Sequence, residues 1–340
     1  MRDSERKIRD IDKFQIPEEM STAVIGIDIG GTNLRSALVL SSGAILEQRR
    51  IASGIEQGRD SFCSRLLASI GELRGEAAKR GITVRAIGAG VPGLIDRTGL
   101  IRSSVNMPPL EGLNLGTFLE ESTGLPAACG NDANIIALGE QRFGAGRGLA
   151  SFMVVTIGTG LGSGLILDGK LWTGAGGFAA EFGHVTVCPE GPPCPCGNRG
   201  CLELYCSAGA VVRSARELIP KDLLGARARD LSAEAVALLA RQGAPGAHTA
   251  FERLGQWLGI ALGSLCNTLN LQAVIVGGGV GASFDLLLPA LRAELSRRCF
   301  PSIYDGLAIL KAELGDDAGL LGGAALAEER LNPSQPARRD

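Results

Sequence analysis

Very little in this sequence is charged in excess: 34 basic residues stand against 36 acidic ones, a formal net charge of -2. A chain so balanced has no overall field to draw it to nucleic acid or to an anionic membrane. Small molecules are therefore the expected partners. Histidine is scarcer still, with only His184 and His248. No Gly-Lys-[Ser/Thr] ending completes a P-loop, which removes that fold. No Cys-x-x-Cys pair is present for a thioredoxin-like redox site. The first twenty residues lack an apolar core followed by a small-residue cleavage site, so no secretory signal is expected and the chain is read as cytoplasmic. Charged residues are also missing from Gln256 to Ser283, a run long enough to raise a membrane span. Asn267, Asn270 and Gln272 interrupt it and Gly277, Gly278 and Gly279 close it, so a buried helix followed by a buried strand is expected instead.

What the chain has in quantity is glycine, 49 of 340 residues, about twice the usual share. The glycines fall in clusters, which points to turns that must approach something closely. At this length two ordinary domains with a cleft between them are expected. Val24 to Leu40, "VIGIDIGGTNLRSALVL", reads as strand, glycine turn, strand, and "MVVTIGTGLGSGLIL" from Met153 repeats the plan. Any two glycine hairpins look alike, but here each is followed by a helix, a buried strand and a further glycine turn. The helices are expected over Phe62 to Arg80 and near Asn131 in the first half, and over Ala208 to Leu218 and Ala247 to Leu269 in the second. Two related α/β lobes facing a cleft follow: 21–130, completed by a C-terminal helix over 316–331, and 131–315. Residues 1–20 are expected to be a mobile tail, and 332–340 a disordered one.

Glycine turns carrying Ser or Thr offer N–H groups and hydroxyls to phosphate oxygens. Gly30, Gly31, Thr32 and Asn33 in the first turn, and Gly158, Thr159 and Gly160 in the second, are candidates for holding a polyphosphate from two sides. Asp28 at the mouth of the first is placed for Mg²⁺, directly or through water, and Gly278 and Gly279 suit a nucleoside. Asn131 and Asp132 stand where a strand ends and a helix begins. That is a capping position, and a carboxylate there is held ionised by the helix dipole, which suits a base taking a proton from an alcohol. The two roles are compatible.

His184, Cys194, Cys196 and Cys201 offer one imidazole and three thiols, a tetrahedral set for structural Zn²⁺, the alternative being core thiols without an ion. Pro189, Pro192, Pro193, Pro195, Gly197 and Gly200 suit a loop folded around a metal over 184–201. The other cysteines read as small buried hydrophobes. Glu181 and Glu203 flank this loop, so a metal here would hold two carboxylates and an imidazole in mutual position, as recognition of several hydroxyls requires.

At these residues the chain resembles the ROK family of sugar kinases and repressors, and within it the bacterial ATP-dependent glucokinases. The carriers are "DIGGTNLRSALV" from Asp28, "GVPGLID" from Gly90, "NDANIIALGEQRFGAGRG" from Asn131, the second glycine hairpin running into "AAEFGH" up to His184, and "CPCGNRGCLE" from Cys194. The resemblance implies an α/β, actin-like ATPase (ribonuclease H-like) two-domain fold with ATP and a hexose meeting in the cleft. Asp132 would be the catalytic base, Asn131, Glu181, His184 and Glu203 would bind sugar hydroxyls, and His184, Cys194, Cys196 and Cys201 would hold zinc. A homodimer is also implied. Glucose is the leading substrate, with N-acetylmannosamine or N-acetylglucosamine as alternatives. A DNA-binding regulator is the third reading. Only 27 residues precede Asp28, too few for the helix-turn-helix that the family's repressors carry, so an enzyme is expected.

Overall fold

The computed structural model describes residues 21–220 and 230–332. The tails expected at 1–20 and 332–340 lie outside the described residues, Asn332 excepted. Apolar runs around the first glycine turn form the antiparallel strands β1 (Thr22–Ile29) and β2 (Asn33–Leu40), followed by β3 (Ile45–Ala52). β1 and β2 are buried along most of their length. β3, "ILEQRRIA", alternates exposed and half-buried positions and carries charge, as an edge strand that must not recruit another chain should. Then come β4 (Thr83–Val91), a small hairpin of β5 (Leu94–Ile95) and β6 (Ile101–Ser103), and β7 (Ala127–Asn131). The first sheet has the order β3-β2-β1-β4-β7, with β1, β4 and β7 parallel.

A second sheet repeats it. β8 (Phe152–Ile157), β9 (Leu161–Leu167), β10 (Lys170–Leu171), β11 (Ala273–Gly277) and β12 (Ala308–Lys311) run in the order β10-β9-β8-β11-β12. Asp28 pairs with Arg35 and Gly90 in the first sheet, and Thr156 pairs with Gly162 and Gly277 in the second. The two residues occupy equivalent places, as the sequence repeat implies. The second turn is the tighter one, since Ile157 pairs with Leu161 whereas Ile29 pairs with Leu34.

Helices cover both sheets. α1 (Arg59–Lys79) seats Phe62, Leu66, Ile70 and Leu73 on one face of the first sheet, residues spaced to share one side of a helix. α2 (Leu115–Thr123) is capped by Asn114. α3 (Asp132–Phe143) follows β7 without a loop. α4 (Ala208–Leu218), α5 (Ala233–Arg241), α6 (Pro245–Leu269) and α7 (Phe284–Arg298) belong with the second sheet's core. The uncharged run is accounted for as expected, by α6 and β11. Gly255, Gly259 and Gly263 line one side of α6, where added Cβ atoms would stand 2.4 to 2.8 Å from atoms of α7. No helix among the described residues is long and apolar enough to cross a membrane. The sequence reading did not single out α2, α5 or α7; Pro289 inside α7 disguises its helical pattern. Of the cysteines other than Cys194, Cys196 and Cys201, Cys206, Cys266 and Cys299 are buried as expected, whereas Cys63, Cys129 and Cys188 are only half-buried.

The last helix, α8 (Ala318–Leu331), returns to the first sheet, and α3 packs its Ala137 and Leu138 against the second. Small residues make this crossing possible. A Cβ at Gly26 would stand 2.0 Å from the Leu320 carbonyl oxygen, and one at Gly88 would stand 1.9 Å from that of Gly323. α3 and α8 touch through Gly139 and Gly322, the latter lying so close to the Ile135 carbonyl that a Cβ would overlap it at 2.0 Å. The glycines in β1 and β4 are thus packing residues, and α8 brings Gly319 against the Asp28 carboxylate.

Candidate active site

A cavity of about 850 Å³ opens where loops from both sheets converge. Asn131 and Asp132 line it from the start of α3, Glu181, His184 and Glu203 from the long loop after β10, and Gly158 and Gly160 from the second glycine turn, with Gly278 alongside. The residues of the first turn lie elsewhere. Asp28, Gly30, Thr32 and Asn33 line a separate cavity of about 450 Å³ together with Arg35, Arg50 and Asp316. Gly31, Thr159 and Gly279 line neither; Thr159 is exposed and Gly279 faces open space. Sequence reasoning missed Ser104 and Asn106, which close the larger cavity from the first sheet's side. The polar stretch "SSVN" before Pro108 was the available signal. It also missed Arg35, although Asn33 and Arg35 sit two apart on β2 and so share a face.

Asn131 caps α3. Its Oδ1 accepts from the Asn134 N–H at 3.1 Å and its Nδ2 donates to the Gly93 carbonyl at 3.1 Å, which leaves one further N–H and one lone pair for a ligand. The Asp132 carboxylate accepts from the Ala133 N–H at 2.8 Å. Burial pushes its carboxyl above the ordinary range; the Ala133 N–H works against this and the Asp28 charge adds to it. Burial thus works against the ionised form that the helix terminus was expected to favour, and it sets the direction of the shift. Burial likewise raises Glu181, with His184 acting in the opposite sense and Asp132 and Glu203 in the same one.

A carboxyl with a raised folded-state value favours the fold while protonated and withdraws that support as pH climbs through the folded value. Asp132→Asn is thus expected to raise the melting temperature by a few degrees at pH 7, with the gain vanishing below about pH 4 where Asp is protonated in either state. Thermal melts across that range check it, and a lower melting temperature at pH 7 would count against the burial argument.

Glu203 has a second commitment. Its Oε2 accepts from the Leu161 N–H at 2.8 Å, and a Cβ on Gly160 would stand 2.3 Å from that oxygen. The bare backbone at Gly160 therefore admits Glu203, a use unforeseen in the phosphate reading. At Gly278, with φ of 81°, a Cβ would meet the Ile157 backbone at 2.5 Å. Asp28 is also engaged: Arg35 Nε donates to its Oδ2 at 3.0 Å and an Arg35 terminal nitrogen joins it, while Arg35 Nη1 donates to the Asp316 carbonyl at 2.7 Å. A cation at Asp28 would share that carboxylate with Arg35.

The cysteine loop brings its four side chains together. Their ligand atoms all lie within 4.8 Å of one another, with His184 Nδ1 3.8 Å from Cys194 Sγ and Cys196 Sγ 3.7 Å from Cys201 Sγ. A tetrahedron of ligands about 2.3 Å from a zinc ion has edges of about 3.8 Å, so the residues fit. Cys194 and Cys201 are buried and Cys196 exposed. His184 ends the short 3₁₀ turn Phe182–His184, and Cys201 precedes another over Leu202–Leu204 that carries Glu203. The loop therefore ties the elements carrying His184 and Glu203 to one cluster. With Nδ1 toward the thiols, the same ring contributes to the wall of the larger cavity.

A family model described as ROK matches residues 24–330. The chain belongs to the ROK family. This ROK protein is 34% identical to a glucokinase of Halalkalibacterium halodurans over 91% of its own length and 96% of that relative's. Among solved structures it resembles a ROK glucokinase from Streptomyces griseus in complex with glucose and AMPPNP, with 34% identity and a TM-score of 0.77, covering 90% and 99% of the two chains. It also resembles a ROK transcriptional regulator, a homologue of the E. coli MLC protein, at 27% identity and a TM-score of 0.83, covering 92% of this chain and 79% of that one. Its fold is the actin-like ATPase fold of the ROK sugar kinases. Kinase and regulator share that fold, so the choice between them falls to the site.

Proposed function

We propose that this chain is an ATP-dependent glucokinase, with Asp132 as general base. The observation that carries the reading is the placement of Asp132 in one cavity with Asn131, Glu181, His184 and Glu203, facing the second glycine turn. Identity to glucokinases across nearly the whole chain supports the substrate. A regulator needs the sugar site but has no use for a half-buried carboxylate placed to take a proton.

The polar wall holds the hexose through several hydroxyls, and Asp132 accepts the proton of its C6 hydroxyl. The C6 oxygen forms a bond to the γ-phosphorus while the bond from that phosphorus to the ADP oxygen breaks, in line. N–H groups of the turns at Gly30, Gly31, Thr32 and Asn33 and at Gly158, Thr159 and Gly160 cradle the phosphates, with Gly278 and Gly279 toward the nucleoside. Asp28 would hold Mg²⁺, which neutralises phosphate charge. His184, Cys194, Cys196 and Cys201 would hold Zn²⁺, whose contribution is to stiffen the loop. The two sheets serve as lobes, 21–130 with 316–331 and 131–315, and their approach excludes water from the transfer. The family resemblance extends the reading to a cytoplasmic homodimer.

The test is ADP release by the purified chain with Mg²⁺ and ATP, comparing kcat/KM for glucose, N-acetylmannosamine, N-acetylglucosamine, mannose and fructose. Glucose is expected to lead. Preference for an acetamido sugar would keep the base and move the substrate, whereas no release with any of the five would refute the enzymatic reading.

A further inference from the structure

Glu140 is fully buried on α3, and no cation pairs with it among the described residues. Backbone donors meet its carboxylate instead. Oε2 accepts from the Ala145 N–H at 2.8 Å and from the Glu313 N–H at 3.3 Å, and Oε1 accepts from the Leu314 N–H at 3.1 Å. These donors lie on the two segments by which the chain passes between the sheets. Ala145 follows α3 on the way to β8, and Glu313 and Leu314 lead from β12 to α8. Gly144 makes room for the carboxylate, since a Cβ there would stand 2.1 Å from Oε2. Burying a carboxylate without a counter-ion is costly unless every lone pair is used. A neutral amide has one oxygen to offer where these donors address two.

Beyond each end of this staple lies catalytic machinery. Asp132 sits two helical turns before Glu140 on the same rigid helix. In the other direction, two residues past Leu314, the Asp316 carbonyl receives Arg35, which holds Asp28. We propose that Glu140 is a positioning residue: it clamps the two crossings at one separation and thereby sets where the Asp132 side of the site stands relative to the Asp28 side. The proposal rests on the kinase reading above. Glu140 touches neither the sugar cavity nor the phosphate-side cavity, so its loss is felt in how the halves meet.

The test is Glu140→Gln in the full chain, which keeps the shape and turns an amide N–H toward a backbone N–H. Glucose binding by calorimetry is expected to stay within about threefold, while kcat at saturating glucose and ATP falls about thirtyfold or more, in the range of a misplaced catalytic group. Compaction on adding glucose and a non-hydrolysable ATP analogue, read by small-angle X-ray scattering, is expected in the unsubstituted chain and lost in the variant. Glu140→Asp keeps both oxygens and is expected to recover part of both. A folded Glu140→Gln enzyme with unchanged kcat and compaction overturns the role and leaves the kinase reading standing. No glucose phosphorylation by the unsubstituted chain overturns both. Should Glu140→Gln not fold, hydrogen exchange in the unsubstituted chain decides. The amides of Ala145, Glu313 and Leu314 are expected to exchange more slowly once sugar and nucleotide are both bound, and unchanged exchange overturns the proposal.

Discussion

Asp132→Asn is expected to lower kcat with glucose at least about a hundredfold, within the usual span of general-base contributions, while the glucose dissociation constant moves less than about threefold. The asparagine keeps the size and the hydrogen bond from Ala133 but cannot take a proton. Two other carboxylates share the cavity, so the competing assignments are testable in parallel. Glu203 already spends an oxygen on Leu161, and Glu181 lies on the loop that leads into His184. Glu181→Gln should therefore weaken sugar binding ahead of turnover. The reverse pattern, with Asp132→Asn near full rate and Glu181→Gln inactive, would transfer the base to Glu181. Because burial raises Asp132, kcat/KM should begin to fall at a pH above the ordinary aspartate range as acid protonates the base.

The second large effect is expected from the cysteine loop, on the proposal that it holds zinc. Protein purified under reducing conditions should carry about one zinc ion per chain by elemental analysis. Cys201→Ser removes a buried ligand and is expected to abolish that content and raise the glucose KM about tenfold or more, in line with the sensitivity of metal sites to their surroundings. The ATP KM should rise as well, because Glu203, two residues after Cys201, holds the Leu161 N–H at the second glycine turn. Zinc-free protein with unaltered KM values would remove the metal from the account.

Much of this was legible because the informative signals are local. A glycine turn between apolar runs announces a hairpin, Asn131 ahead of an apolar helix announces a cap, and four ligand-type residues in one short proline-rich loop announce a cluster. What stayed hidden depends on residues far apart in the chain. That Asp28 spends itself on Arg35 follows from strand register, that Gly160 exists to admit Glu203 follows from a contact across 43 positions, and that Gly88 packs against Gly323 follows from a helix returning from the far end. Glu140 reads in the sequence as one more charged helix residue. Only the fold shows it buried between two chain crossings. The sign of the Asp132 shift was missed for the same reason, since the helix terminus is visible in sequence and the loss of water is not.

The paired sheets carry a consequence for charge. Asp28 and Thr156 stand at matching strand positions, so a molecule assembled from two identical halves would offer either two carboxylates or two hydroxyls at those places. Two carboxylates would repel an anionic donor from both directions, and two hydroxyls would leave a divalent cation without an anchor. Joining the halves in one polypeptide lets the copies differ. On the kinase reading proposed above, one copy would offer a carboxylate to a metal and the other a neutral hydroxyl that a phosphate tolerates, giving the donor a direction along which to lie.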